Sequence, residues 1–288
     1  MSAVPEPSAR ARILPVTPDE YFLDPCERPS LSQSIARTLI TRSPAHAWTE
    51  HPRFGGIRRA PTKATDDGSI IHKLLLGKGV DVEIISGFND FKKKAAQEAR
   101  DAAKDAGKIP MLEHRFAAIE TAADRLRTTI ARHGIELDGE SEIAFEWHEP
   151  GFEGDVLCRA LMDHVILSRG RIIDLKKIVS ADARTCSRHA YDYGYDIQHA
   201  AYTSAIEKLK PELAGRIEFL FVFMELEEPY AVVPAAPDGM LRELGERRWR
   251  RAVELWEKCL NADRWPSYCS SVTSLEAPTW ALYQEGLA

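Results

Sequence analysis

The stretch from Ser141 to Val179 constrains the fold more than any other part of the chain. Three apolar segments, SEIAFEW (141–147), DVLCRALMDHVIL (155–167) and RIIDLKKIV (171–179), follow one another, and LSRGR joins the last two with a turn at Arg169-Gly170. Such segments read as strands, and a turn that tight folds the second pair back as a hairpin. A sheet must therefore form the middle of the molecule. Successive side chains on a strand point to opposite faces, so Ile173 and Leu175 share one face while Asp174 and Lys176 share the other. Two charges on one face of an apolar strand are either a solvated ion pair on a half-exposed sheet or groups held there for chemistry.

The flanking segments read as helices. SLSQSIARTLITRSP places Leu31, Ile35 and Leu39 four apart behind cap-type serines and ends near Pro44. DDGSIIHKLLLGKG and FNDFKKKAAQEARDAAKDAG have the acidic starts or glycine ends of helices, and PMLEHRFAAIETAADRLRTTIARHG runs from Pro110 to Gly134 with an apolar face at spacings of three and four. After the hairpin come a helix over GYDIQHAAYTSAIEKLK, a strand RIEFLFVFMEL, a short YAVVP and a long amphipathic helix over MLRELGERRWRRAVELWEKCL. The tail, WPSYCSSVTSLEAPTW, is irregular. We expect an α/β fold: a central mixed sheet flanked by helices, with a helical N-terminal part and no internal boundary. Residues 1–28 are expected to be a loose, Pro-rich extension and 29–288 a single domain.

Several function classes drop out. No apolar run approaches the roughly 20 residues a membrane span needs, and the N-terminus lacks the apolar core of a signal peptide, so a cytoplasmic protein is expected. Five scattered cysteines without a C-x-x-C pattern support neither a zinc ribbon nor an iron–sulfur cluster and imply reduced thiols. There is no phosphate loop and no dinucleotide fingerprint, so ATP and NAD chemistry are unsupported. The net charge of −6 argues against coating nucleic acid by bulk attraction but not against a local grip. RFGGIRRAPTK, with Arg58 and Arg59, and ERRWRR, with Arg248 and Arg251, are basic patches that either contact a phosphate backbone or are merely solvated.

Asp163 ends the strand before the turn and stands about as far from it as Asp174 does after it. Pairing the two strands brings both carboxylates to one face, where they repel and suffer desolvation. A divalent cation relieves both problems, and oxygen ligation favours Mg²⁺ or Mn²⁺ over zinc. Lys176 beside them can carry positive charge to a developing anion or help deprotonate a water. Cation, water and lysine together suit phosphodiester cleavage. Gln198 and Tyr202 share a helix face at a spacing of four.

In order, G-x-x-x-H ending at His72, then Asp163, then Asp174-x-Lys176, then Gln198-x-x-x-Tyr202 resembles the motif set of the RecB-like branch of the PD-(D/E)XK nucleases, and within it the exodeoxyribonuclease VIII (RecE-like) group. YFLDPCERPSLSQSIARTLITRSPAHAW and WPSYCSSVTSLEAPTW resemble that group's N- and C-terminal segments. The resemblance implies metal ligands at His72, Asp163 and Asp174, with the Leu175 carbonyl contributing, a catalytic lysine at Lys176, and DNA orientation and site support from Gln198 and Tyr202. Glu142 is either a further acidic contributor or a structural glutamate. The resemblance further implies a Mg²⁺-dependent exonuclease, with Mn²⁺ as substitute, acting on double-stranded DNA ends in the 5′ to 3′ direction. It also implies a homo-oligomer partnered by a single-strand annealing recombinase. A repair or defence endonuclease on the same core, or a catalytically silent DNA-binding subunit, are the alternatives.

Overall fold

The computed structural model describes residues 11–57, 63–269 and 271–287, with nothing said of the side chains of 63–65. The three apolar segments form β5 (Glu140–Pro150), β6 (Asp155–Ile166) and β7 (Arg171–Lys177), paired antiparallel in that order. Two helices, α7 (Ala183–Asp192) and α8 (Tyr195–Leu209), carry the chain back to β8 (Glu218–Met224), which lies parallel to β7. β9 (Val232–Ala235) closes one side antiparallel to β8, and β1 (Ala11–Leu14) closes the other against β5. The order is β1-β5-β6-β7-β8-β9, with the two-residue β2 (Leu31–Ser32) set parallel against β6. The sheet is mixed, as expected.

Helices cover both faces. On one, α2 (Gln33–Thr41), α8 and α9 (Gly239–Ala262) bury Ile35, Leu39, Ile197, Ile206, Trp249 and Trp256 against Phe145, Trp147 and Phe221. On the other, α4 (Lys63–Leu76) and α6 (Glu113–Arg132) bury Ile70, Ile71, Leu126 and Ile130 against Ile173, Leu175 and Val222. β7 is thus covered on both sides, the normal fate of a strand with a parallel neighbour. A half-exposed strand with a solvated ion pair is ruled out: Asp174 is 1% exposed.

The structure departs from the sequence expectations in several places. Residues 11–28 are not loose: β1 pairs over four residues, α1 (Pro18–Phe22) is closed by a reciprocal Thr17–Glu20 capping box, and Tyr21, Asp24 and Cys26 are buried. A four-residue strand is too short to show periodicity among prolines. The helix α2 does end near Pro44, as expected, but Pro44 also opens a helix the sequence did not suggest, α3 (Pro44–Glu50), where its missing N–H costs nothing. Pro110 lies in β4 (Ile109–Leu112), paired parallel with β3 (Val82–Ile85) beyond α5 (Lys94–Asp105), and α6 begins only at Glu113. The tail is irregular among the described residues, as expected, up to the short α10 (Thr279–Gln284).

The placement of α8 rests on a close approach by α9. An ideal Cβ on Gly245 would lie 2.1 Å from the Asp196 carbonyl oxygen, so only glycine fits. One turn on, the Arg248 guanidinium donates to both oxygens of the fully buried Asp196, at 2.9 and 2.7 Å. Helix propensity alone would make Gly245→Ala stabilising by about 1 kcal/mol. We expect the opposite: overpacking should cost about 1–3 kcal/mol net, visible as a lowered melting temperature. An unchanged or raised melting temperature would refute the close packing.

Candidate active site

β6 and β7 pair over three positions, His164–Ile173, Val165–Ile172 and Ile166–Arg171, and then part. Asp163 and Asp174 are the next residues on each strand, at the mouth of the split. Farther along β6, β2 takes the place β7 has left, with Leu31 opposite Cys158 and Ser32 opposite Arg159. A buried polar network fixes it there. Asp24 accepts from the Ser30 N–H (3.0 Å) and hydroxyl (2.6 Å), and Arg159 Nη1 donates to the Ser30 carbonyl (2.6 Å) and lies 3.2 Å from Asp24. Burial pushes the Asp24 carboxyl up, but His51, Arg159 and Ser30 outweigh it and hold it below its ordinary value. The split opens into a cavity of about 370 Å³ lined by Ser32, Ser34, His72, Glu142, Asp163, Asp174, Lys176, Gln198 and Tyr202, among others.

Three of these residues form a donor set. Ligand atoms of His72, Glu142 and Asp163 all lie within 4.8 Å of one another. His72 reaches across from α4, and its Nε2 donates to the Leu175 carbonyl at 3.0 Å. With Nε2 on that carbonyl, Nδ1 is the ring atom turned toward Asp163 Oδ2, 3.6 Å away. Asp163 Oδ2 also accepts from the Leu175 N–H at 2.9 Å. Glu142 sits on β5 with φ +54°, a left-handed conformation uncommon for a side-chain-bearing residue in a strand. Burial and then Asp163 push its carboxyl up to about 7. Lone pairs from an imidazole and two carboxylates facing one gap fit a divalent cation.

Asp174 stands apart from this set. Lys176 Nζ lies 2.5 Å from its Oδ1, and Gln198 Nε2 donates to its Oδ2. Burial and Asp163 push the Asp174 carboxyl up, against the pull of Lys176. Burial by itself would lower Lys176, but Asp174 and Asp163 outweigh it and hold the lysine above its ordinary value. The two trends favour opposite protonation states of one pair. With the Lys176 nitrogen against Oδ1 and the Gln198 amide donating to Oδ2, these surroundings suit a carboxylate paired with an ammonium. The Lys176 ammonium also lies 4.6 Å from the Tyr195 ring centroid, a cation–π contact that sequence reasoning missed. Tyr195 precedes Gln198 by three on α8, a spacing that could have revealed it.

The structure therefore brings together His72, Asp163, Asp174, Lys176 and Gln198, adds Glu142 to the donor set, and gives the Leu175 carbonyl to His72. Tyr202 is buried, and its hydroxyl donates to the Leu161 carbonyl at 2.9 Å, two residues before Asp163. It supports the strand that carries Asp163. The basic patches fare differently. Arg58 and Arg59 lie outside the described residues. Arg248 is committed to Asp196, so it is not a free surface cation; Arg251 is exposed on α9 and does not line the cavity.

A family model, the PDDEXK-like domain of unknown function (DUF3799), matches residues 34–278. The chain belongs to this family. Membership supports a nuclease. A crystal structure of a candidate exonuclease from Eubacterium rectale is similar over 94% of this chain and 98% of that one, with a TM-score of 0.57 and 14% identity. A phage-related exonuclease from Haemophilus somnus is matched over 70% of this chain and 85% of that one, at 13% identity and a TM-score of 0.31, too loose to carry an argument. The first likeness establishes the fold alone. No curated protein matches the sequence.

The Glu142 carboxyl sets a pH dependence. A cation needs the carboxylate, so Mg²⁺ or Mn²⁺ binding should tighten as pH rises through about 7, with proton release on binding. In the metal-free protein the sign reverses: the raised carboxyl adds stability in acid and loses it as pH climbs from 4.5 toward about 7. Calorimetric titration below and above that value checks the first effect, and Glu142→Gln should flatten both. Binding independent of pH across the interval would remove Glu142 from the donor set.

Proposed function

We propose that this chain is a divalent-cation-dependent DNA exonuclease that removes one strand of a linear duplex from an end, in the 5′ to 3′ direction, leaving a 3′ single-stranded tail. The observation that carries the reading is the His72–Glu142–Asp163 donor set beside the Asp174–Lys176 pair in one cavity at the strand split. His72 Nδ1 and the Glu142 and Asp163 carboxylates would hold the cation. Bound there, it supplies Lewis-acid polarisation of the phosphate and a water of lowered pKa.

The chain's own groups supply the rest. Lys176, kept protonated by Asp174, is suited to stabilising charge on the phosphate rather than to taking a proton. Gln198 and the Tyr195 ring hold that pair in place, and the Leu175 N–H fixes the Asp163 carboxylate for the cation. Polarity, action on ends, a ring-like homo-oligomer and an annealing recombinase as partner follow from the resemblance to the RecE-like group and belong to this proposal.

End-labelled linear duplex compared with closed circles is the test. Linear DNA should shorten in Mg²⁺, be untouched in EDTA and be bound but barely cut in Ca²⁺. Lys176→Ala should lose about two to four orders of magnitude in single-turnover rate while still folding and binding DNA. Full activity in EDTA, or a folded Lys176→Ala variant cutting at the wild-type rate, defeats the assignment. Rapid cutting of closed circles would favour the endonuclease alternative, and DNA binding with no cleavage under any cation a silent subunit.

A further inference from the structure

A second groove, of about 290 Å³, runs along α2 and is lined by Ser34, Arg37, Thr38, Arg42, Glu50 and Ile57, among others. Ser34 lines both this groove and the catalytic cavity, so the two adjoin. Two arginines face it. Arg42 is neutralised by Glu50 at 2.8 Å, which also accepts from Thr38. Arg37 differs: among the described residues no carboxylate pairs with it, and its Nε has no hydrogen-bond partner. Its aliphatic stem packs on Gly194, where an ideal Cβ would come within 3.0 Å of Arg37 Cδ. Its guanidinium carbon lies 5.4 Å from the Tyr193 ring centroid. The side chain is thus held in place without being neutralised.

The ring beneath Arg37 leads back to the catalytic pair. Tyr193 stacks on Tyr195 with centroids 6.1 Å apart, and Tyr195 underlies Lys176. Two cations rest on one aromatic platform, one in the catalytic cavity and one in the adjoining groove. Resting on the nuclease reading above, we propose that Arg37 binds a backbone phosphate of the DNA strand next to the one being cleaved, and that the strand leaves the cavity along α2. A planar guanidinium with free donors suits a phosphate, and the ring face orients it without competing for those donors. In an acidic protein, one unpaired cation at the mouth of the site has a large share in the grip.

The test is the salt dependence of DNA binding by the full chain in Ca²⁺, with linear duplex as probe. Each phosphate neutralised contributes about 0.7–0.9 to the slope of log K against log salt. Arg37→Gln should lower the slope by about that amount, and Arg37→Lys should keep it. Arg37→Met retains the stem against Gly194, so a drop shared by the Gln and Met variants is not loss of fold. Arg125→Gln removes an equal charge from the exposed face of α6 and should leave the slope unchanged. Equal drops for Arg37→Gln and Arg125→Gln, or no drop for the Arg37 variants while wild type binds and cuts, overturn the inference alone. Wild type that neither binds nor cuts DNA overturns the nuclease reading with it.

Discussion

The parting of β6 and β7 after three residue pairs is the constraint on which the rest depends. Had the antiparallel ladder continued, backbone would have paired with backbone and left no room between Asp163 and Asp174. Because it stops, backbone groups of β7 are free to bond to side chains. The Leu175 N–H goes to Asp163, and the Leu175 carbonyl goes to His72. The split survives because β2 occupies β6 where β7 has left, fixed by Asp24, Ser30 and Arg159, all nearly inaccessible to water. Breaking one member of such a network leaves the others buried without partners, which costs far more than the net worth of each bond.

A second dependence runs through α8. Gln198, Tyr202 and Tyr195 project from this one helix onto Asp174, the Leu161 carbonyl and Lys176. A shift of α8 would disturb all three at once, and Gly245 and the Arg248–Asp196 clamp set how near α9 presses it to the sheet. Arg248, for which the sequence left DNA contact and solvated surface both open, is turned inward onto Asp196. Charge counting cannot separate these roles, because an arginine on a helix surface and one turned inward have the same spacing.

The central strands, the hairpin and the long helices α6, α8 and α9 were legible because their apolar periodicity extends over many residues. The strand assignment also placed Asp163 and Asp174 correctly relative to the turn. What was not legible was short or depended on chain crossings. β1 is four residues among prolines, β4 hides in front of a helix, and α7 was not anticipated. Glu142 could be named as an acidic candidate but not ranked above Asp174 as a donor, since its nearness to His72 depends on α4 crossing the sheet. The Tyr195 contact with Lys176 likewise joins α8 to β7, a meeting no local pattern encodes.

Glu142 carries a further consequence through its backbone. A residue with a side chain held at φ +54° in a strand gives up about 1–3 kcal/mol that glycine would not. Its carboxyl, half-buried beside Asp163, adds electrostatic repulsion until a cation is present. Random mutagenesis selected only for thermal resistance should therefore favour Gly at position 142 and discard the donor. A glutamate retained there under ordinary selection would mark a position where activity outweighs robustness. On the function proposed above, heat-selected libraries of this protein would drift toward well-folded, inert variants, and the route would begin at one codon.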